Sequence, residues 1–379
     1  MFAASSASTV LVELGAVLLV LAVSGRLAAR FALPSIPLYL VAGLLLGEGS
    51  PIALRASSEF IRIGADLGVV LLLLLLGIEY TPAELSRGMR SHWLAGLVDF
   101  GANAAPGVVA ALILGWGVVP AVLLGGITYM TSSGIVAKLL SDLDRIGNRE
   151  TPVVLSLLVM EDIVMALYLP VIGVLIVGAT VVEGSIAVAL ALAVVAVALL
   201  VSLRFGTKVS RLLDSTSPEL LLLTLLGTTF LAAGLADKAK VSAAVGAFLV
   251  GVTLSGRIAE RGRELLAPIR DVFGGLFFIF FGLQIDPADL PPVLLPAMVL
   301  AVVAAATKAG TGWWAAKRSG IGRPGRRRAA AAMIPRGEFS IVIAGIGTAA
   351  GLEGQIGPLT ACFVLILAIG GSLAMRFTG

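Results

Sequence analysis

Residues 156–170 read SLLVMEDIVMALYLP, with Glu161 and Asp162 side by side at the centre of an apolar run. An ionisable group at membrane depth costs about 2.5–3.5 kcal/mol on insertion scales, so it persists where it faces a protein interior or a water-filled cavity. Neighbouring residues of an α-helix point about 100° apart, so one of these carboxylates can face a cavity while the other meets an adjacent helix. Two acids in such a run are hard to explain as packing.

The remainder of the chain is of the same kind. Apolar residues make up 58% of the 379, charged residues 13%, and mean hydropathy is +1.05. A soluble domain carries about 25% charged residues. Cys362 is the single cysteine and His92 the single histidine, which excludes a disulfide framework, a His-based metal site and a Ser-His-Asp triad. No cofactor is expected, and the chain has little with which to build an enzyme.

Spans of about 20 apolar residues, shorter where a helix is broken or packed, fall near 7–24, 33–48, 59–78, 92–115, 119–141, 152–178, 181–203, 218–236, 241–255, 271–285, 293–316, 327–350 and 357–376. The expected fold is an all-α membrane protein of about thirteen transmembrane helices. No basic residue precedes Arg26, so the first span reads as a retained helix and not as a signal peptide. Lysines and arginines test the division. Alternate segments on one side hold 21 of them, among them Arg26, Arg87, Arg145, Arg211, Arg263 and Arg327, and the other side holds Arg55, Lys238 and Lys240. By the positive-inside rule the N-terminus is outside and the C-terminus cytoplasmic, in the cell membrane.

The charge-free span 181–203 divides the chain into six helices before it and six after, which enter the membrane in opposite directions. That is the plan of an inverted repeat. The expected organisation is one membrane domain over 1–379, with repeat one at 1–178, a linker helix at 181–203 and repeat two at 205–379. Two helices in corresponding places are interrupted, the fifth by Thr131-Ser132-Ser133-Gly134 and the twelfth by Pro335-Arg336-Gly337-Glu338. Paired breaks leave carbonyls and half-helix ends pointing at a midplane ion site.

Lys308 lies about two turns before the cytoplasmic end of its helix, too deep to snorkel easily, and needs a carboxylate; Glu161 and Asp162 are the candidates. Asp99 lies mid-span with Asn103 one turn on, on the same face, where an ion pathway and an interhelical hydrogen bond are equally open readings. Asp66 with Arg62 reads as an outer salt bridge, Phe277, Phe278, Phe280 and Phe281 as packing, and Arg326-Arg327-Arg328 as an anchor to anionic lipid.

These residues resemble the cation:proton antiporter-2 family, in particular its Kef-type potassium/proton branch. The resemblance rests on LPSIPLYLVAGLLLGEG (33–49), LGVVLLLLLLGIEYTP (67–82), MTSSGIVAKLLSDL (130–143), MEDIVM (160–165), FFIFFGLQID (277–286), Lys308 and RGEFSIVI (336–343), in order along the chain. It implies that Asp162 binds the monovalent cation and the proton, that Glu161 occupies the position before it, and that Thr131, Ser132 and Ser133 line the site. Arg336, Glu338, Asp99 and Asn103 would belong to the broken helices and the pathway, with Lys308 as charge partner. A homodimer with elevator-like alternating access is also implied.

The chain departs from the pattern in two places. The family usually has Gln, Asn or Asp before the aspartate, and Glu161 stands there instead. No GxGxxG follows the last helix before Gly379, so no cytoplasmic nucleotide-binding domain is expected, and regulation would need a separate subunit. The expected function is exchange of a monovalent cation for protons, K⁺ slightly ahead of Na⁺, with no nucleic-acid partner. A gated cation channel and a sodium-coupled organic anion symporter are the alternatives. A channel filter of the TVGYG kind is absent from the sequence.

Overall fold

A computed structural model describes residues 7–31, 34–47, 58–79, 82–176, 204, 208, 213, 215–238 and 243–378. Among them the secondary structure is helical throughout. The helices are α1 (Ala7–Arg30), α2 (Ser35–Leu46), α3 (Ser58–Glu79), α4 (Pro82–Ile113), α5 (Val118–Tyr129), α6 (Ser133–Asp142), α7 (Thr151–Ile176), α8 (Pro218–Lys238) and α9 (Ala243–Thr253). They continue with α10 (Arg257–Leu283), α11 (Leu290–Arg318), α12 (Arg323–Ala332), α13 (Glu338–Ala349) and α14 (Ile356–Phe377). The protein is a multi-pass membrane protein. Seven of the described spans are long and apolar enough to cross a bilayer, and shorter apolar helices at Ser35–Leu46, Asp66–Leu75 and Glu338–Ala349 accompany them.

Every expected span coincides with one helix or a broken pair except 181–203, which lies outside the described residues. Two boundaries move. α4 begins at Pro82 and α10 at Arg257, well before the expected 92 and 271. The stretch RIAERGRELLAPIRD is charged yet helical, with Ile258 and Leu266 buried and Arg263 and Glu264 exposed. Hydropathy stops at the first charges, whereas a helix continues wherever one face stays apolar.

The chain divides into two compact units. The first holds Met1–Ser58, His92–Glu161 and Phe278–Gly379, and the second Glu59–Ser91 and Asp162–Phe277. In the first unit α14 is the hub, packed against α2, α5, α6, α11, α12 and α13. Its sequence IGPLTACFVLILAIGGSLAM is apolar on every side, as a central helix must be. One core cluster joins Val136, Leu139, Val154, Leu157, Ala316, Ala329, Met333 and Met375. α2 and α10 cross at Gly43 and Gly282, where a Cβ on Gly43 would lie 2.2 Å from the Ile279 carbonyl oxygen. Only glycine lets two backbones approach this closely.

In the second unit Val70, Leu71, Leu74, Leu75 and Ile78 of α3 pack with Leu221 and Leu225 of α8, Ala247 of α9, and Ile258 and Leu266 of α10. A second glycine crossing serves it. A Cβ on Gly77 would come within 2.3 Å of the Phe248 carbonyl oxygen, and one on Gly251 within 2.3 Å of that of Leu74. Of the expected aromatic packing run, Phe277, Phe278 and Phe281 are buried. Asp66 is exposed, and the side chain of Arg62 lies outside the described residues.

Candidate functional site

Both interrupted helices break where Ser, Pro and Gly interrupt the apolar pattern. α5 ends at Tyr129 and α6 begins at Ser133, with Met130 extended between them. α12 ends at Ala332 and α13 begins at Glu338. The breaks meet, and the Ser132 N–H donates to the Pro335 carbonyl at 2.9 Å.

A broken helix exposes unpaired carbonyls at one end and N–H groups at the other. Arg336, fully buried, answers the first need. Its guanidinium donates to the carbonyls of Thr128 (3.1 Å), Met333 (3.1 Å) and Ile334 (3.0 Å), so a cation sits at the C-terminal ends of α5 and α12. Glu338 answers the second. It stands in the first turn of α13 and accepts the Ser132 hydroxyl at 2.7 Å and the Gly134 N–H at 3.5 Å. Ser132 also accepts from the Ile135 N–H at 3.3 Å, capping α6. Ser133 is half-buried at the start of α6.

Beside the crossing, Lys308 of α11 is fully buried and donates to Glu161 Oε1 at 2.7 Å and to Asp99 Oδ2 at 2.7 Å. Its ammonium lies 4.8 Å from the centre of the Tyr129 ring, which Phe100 meets edge-on at 5.1 Å. Glu161 takes two further hydrogen bonds from the first break, one from the Thr131 hydroxyl at 2.9 Å and one from the Thr131 N–H to Oε2. Asp99 Oδ1 accepts from Asn103 Nδ2 at 2.9 Å and from the Thr311 hydroxyl at 2.8 Å. Burying charges is costly, and it is offset where each is paired and hydrogen-bonded. All three meet that condition.

Of the two carboxylates the sequence offers to Lys308, the structure pairs it with Glu161, and it adds a second carboxylate that the sequence does not point to. Asp99 is that partner, from α4 and not from α7. Thr311, one turn after Lys308 in the same helix, was also missed. Its only signal was a hydroxyl at i+3 from the buried lysine. Asp162, the next residue of α7, is buried at 3% exposure and opens the second unit. Among the described residues no three His, Cys, Asp or Glu side chains are grouped to hold a metal ion. The carboxylates here instead accept from the Lys308 ammonium, from hydroxyls, from the Asn103 amide N–H and from backbone N–H groups.

The family model for "Sodium/hydrogen exchanger, transmembrane" matches residues 15–378. The chain belongs to the sodium/hydrogen exchanger family. This exchanger is therefore a transporter of the monovalent cation:proton antiporter class and not an enzyme, in keeping with the resemblance to the antiporter-2 family. It is 31% identical over 373 residues to the K(+)/H(+) antiporter subunit KhtU of Bacillus subtilis, covering 96% of this chain and 92% of that one. It is 28% identical over 370 residues to the ammonium/H(+) antiporter subunit AmhT of Alkalihalophilus pseudofirmus, with the same coverage. The high-affinity Na(+)/H(+) antiporter NhaS3 of Synechocystis is 28% identical over 375 residues, 95% of this chain and 79% of that one. The exchanger's fold matches the sodium proton antiporter MjNhaP1 of Methanocaldococcus jannaschii with a TM-score of 0.70 at 17% identity, over 98% and 99% of the two chains.

Proposed function

We propose that this protein exchanges a monovalent cation, K⁺ slightly ahead of Na⁺, for protons at Asp162, by competition for one carboxylate. The observation that carries this reading is the buried acidic pair at the centre of α7. Glu161 is engaged by Lys308 and Thr131, and Asp162, the next residue of the same helix and likewise buried, is the carboxylate for which cation and proton compete. Deprotonated Asp162 takes a cation with its hydration shell wholly or partly removed. Hydroxyl and carbonyl oxygens of the first break, from Thr131, Ser132 and Ser133, complete the shell. Protonation on the other side of the membrane expels the ion. A filled or protonated site can cross whereas a bare charge cannot, so the two fluxes are coupled.

The preference for K⁺ draws on two relatives named for K(+) and ammonium, ions of similar size, and NhaS3, named for Na(+), keeps Na⁺ close behind. The same reading includes one membrane domain with inverted repeats, an N-terminus outside the cell membrane, a homodimer, and a separate regulatory subunit. KhtU and AmhT are themselves named as subunits.

The test is exchange in proteoliposomes containing a pH-sensitive dye, challenged with K⁺, Na⁺ and Li⁺. Wild type collapses a pH gradient with at least one of these ions, and Asp162→Asn does not. Wild type that leaves the gradient intact with every ion refutes antiport, and full activity in Asp162→Asn refutes the assignment of the site.

A further inference from the structure

Along α11 an exposed line runs through Leu295 (65%), Val299 (56%), Val302 (70%), Ala306 and Gly310, three or four positions apart. That spacing keeps these residues on one face of the helix, and an apolar face left open in a membrane protein meets lipid. At about 1.5 Å per residue, Leu294 to Trp313 spans about 28 Å, close to the roughly 30 Å of a bilayer's hydrocarbon core. The half-buried Trp313 and Trp314 therefore lie at headgroup level, where indoles concentrate.

Basic residues begin at this depth. Lys317 and Arg318 close α11, and Arg323, Arg326, Arg327 and Arg328 open α12. The protein itself engages some of them. Arg328 pairs with Glu150, and Arg326 donates to the Ile321 carbonyl at 2.6 Å. Each indole carries a guanidinium, Arg326 at 6.0 Å from the Trp313 ring and Arg318 at 5.7 Å from that of Trp314. Lys317, Arg323 and Arg327 are exposed and, among the described residues, meet no carboxylate. Lys317 stands one turn beyond Trp313, on the same face of α11 as the apolar line.

From this we infer that the turn between α11 and α12 seats the headgroup of an anionic phospholipid, with an acyl chain along the open face of α11. Lys317, Arg323 and Arg327 supply the charge that a phosphate needs, and a guanidinium fork matches its oxygens. The apolar line leads straight to these cations, which suits a molecule that is apolar along its length and anionic at one end. A free anion makes no use of that line, and a zwitterionic lipid brings its own cation into a place already positive. In the proposed orientation this is the cytoplasmic leaflet, whose anionic lipids attract basic segments. The lipid would sit at the outer end of the half-helix whose inner end leads into the second break.

The experiment follows the thermal unfolding midpoint in detergent during titration with phosphatidylglycerol, phosphatidylcholine or inorganic phosphate. Wild type is compared with the double variant Arg323→Gln, Arg327→Gln and with Arg263→Gln, which neutralises an exposed arginine of α10. The wild-type midpoint rises with phosphatidylglycerol and not with the other two. Each basic residue beside an anionic headgroup strengthens binding about fivefold, so the double variant needs about thirtyfold more phosphatidylglycerol for half its shift. Arg263→Gln titrates as wild type does. All the replaced side chains are exposed, and such substitutions leave a fold intact. Native mass spectrometry, counting the phosphatidylglycerol retained per protein, reads the same difference without unfolding. A double variant that titrates like wild type overturns the inference, as does an Arg263→Gln variant weakened equally. Equal shifts with phosphatidylcholine, or with inorganic phosphate, overturn it too, the latter by showing an anion site that uses no lipid. No arm measures transport, so each of these outcomes leaves the proposed antiport standing.

Discussion

Replacing Lys308 by glutamine removes the one positive charge that lies between two buried carboxylates, each 2.7 Å from its ammonium. Breaking a buried ion pair by deleting one member costs about 3–5 kcal/mol, because the partner stays behind as an uncompensated charge. Here two partners stay behind. Asp99 keeps Asn103 and Thr311, and Glu161 keeps Thr131, but these donors are neutral, and protonation of one carboxylate caps the penalty. Lys308→Gln is therefore expected to destabilise the folded protein by about 3–5 kcal/mol, read as a lower thermal unfolding midpoint in detergent. The triple variant Lys308→Gln, Asp99→Asn, Glu161→Gln removes all three charges and retains most of the shape. Burial of neutral, hydrogen-bonded groups is far cheaper, so it should recover most of the loss while lacking exchange. A triple variant no more stable than Lys308→Gln alone would refute the view that uncompensated charge, and not lost packing, is what the lysine prevents.

Two further outcomes follow from other parts of the molecule. Gly43→Ala places a methyl group 2.2 Å from the Ile279 carbonyl oxygen and 2.8 Å from the Gly282 Cα, so α2 and α10 must part, at a cost of about 1–3 kcal/mol in the unfolding midpoint. Glu150, in the connection before α7, accepts from the Arg328 guanidinium, with a second contact at 3.2 Å, and from Asn148 at 3.1 Å. Burial pushes its carboxyl up, but the hydrogen bonds and charge of Arg328 outweigh this and hold it below the ordinary glutamate range. A carboxyl lowered by folding contributes stability above its unfolded pKa and loses it as pH falls through the folded value. Wild type should thus exceed Glu150→Gln in unfolding midpoint at neutral pH, and the difference should vanish in acid below the ordinary glutamate range.

The membrane class, nearly every described span and both breaks could be read from residues alone, because apolar runs and their interruption by Ser, Pro and Gly are local signals. Lys308 needed a buried acid for a reason of energy, and Glu161 could be named because it was one of few acids in apolar surroundings. Asp99 lies 209 positions away in sequence, and nothing local says that α4 and α11 are neighbours. The partners of Arg336 are backbone carbonyls, which carry no sequence signature at all. Arg328 reads in the sequence as part of an anchor to anionic lipid, yet it pairs with Glu150, whose side chain is 4% exposed. Burial of a polar stretch is decided by what packs over it.

The stitch between the two helix interruptions ties together residues more than 200 positions apart. A methyl group on Gly337 would lie 2.6 Å from the Ser132 hydroxyl oxygen, and that hydroxyl is already engaged with Glu338. Neither partner can grow without displacing the other. Among descendants of this exchanger, changes at 132 and at 337 should accordingly arise as matched pairs, and a lineage that varies one freely while the other stands still would show that the junction tolerates more slack than its spacing implies.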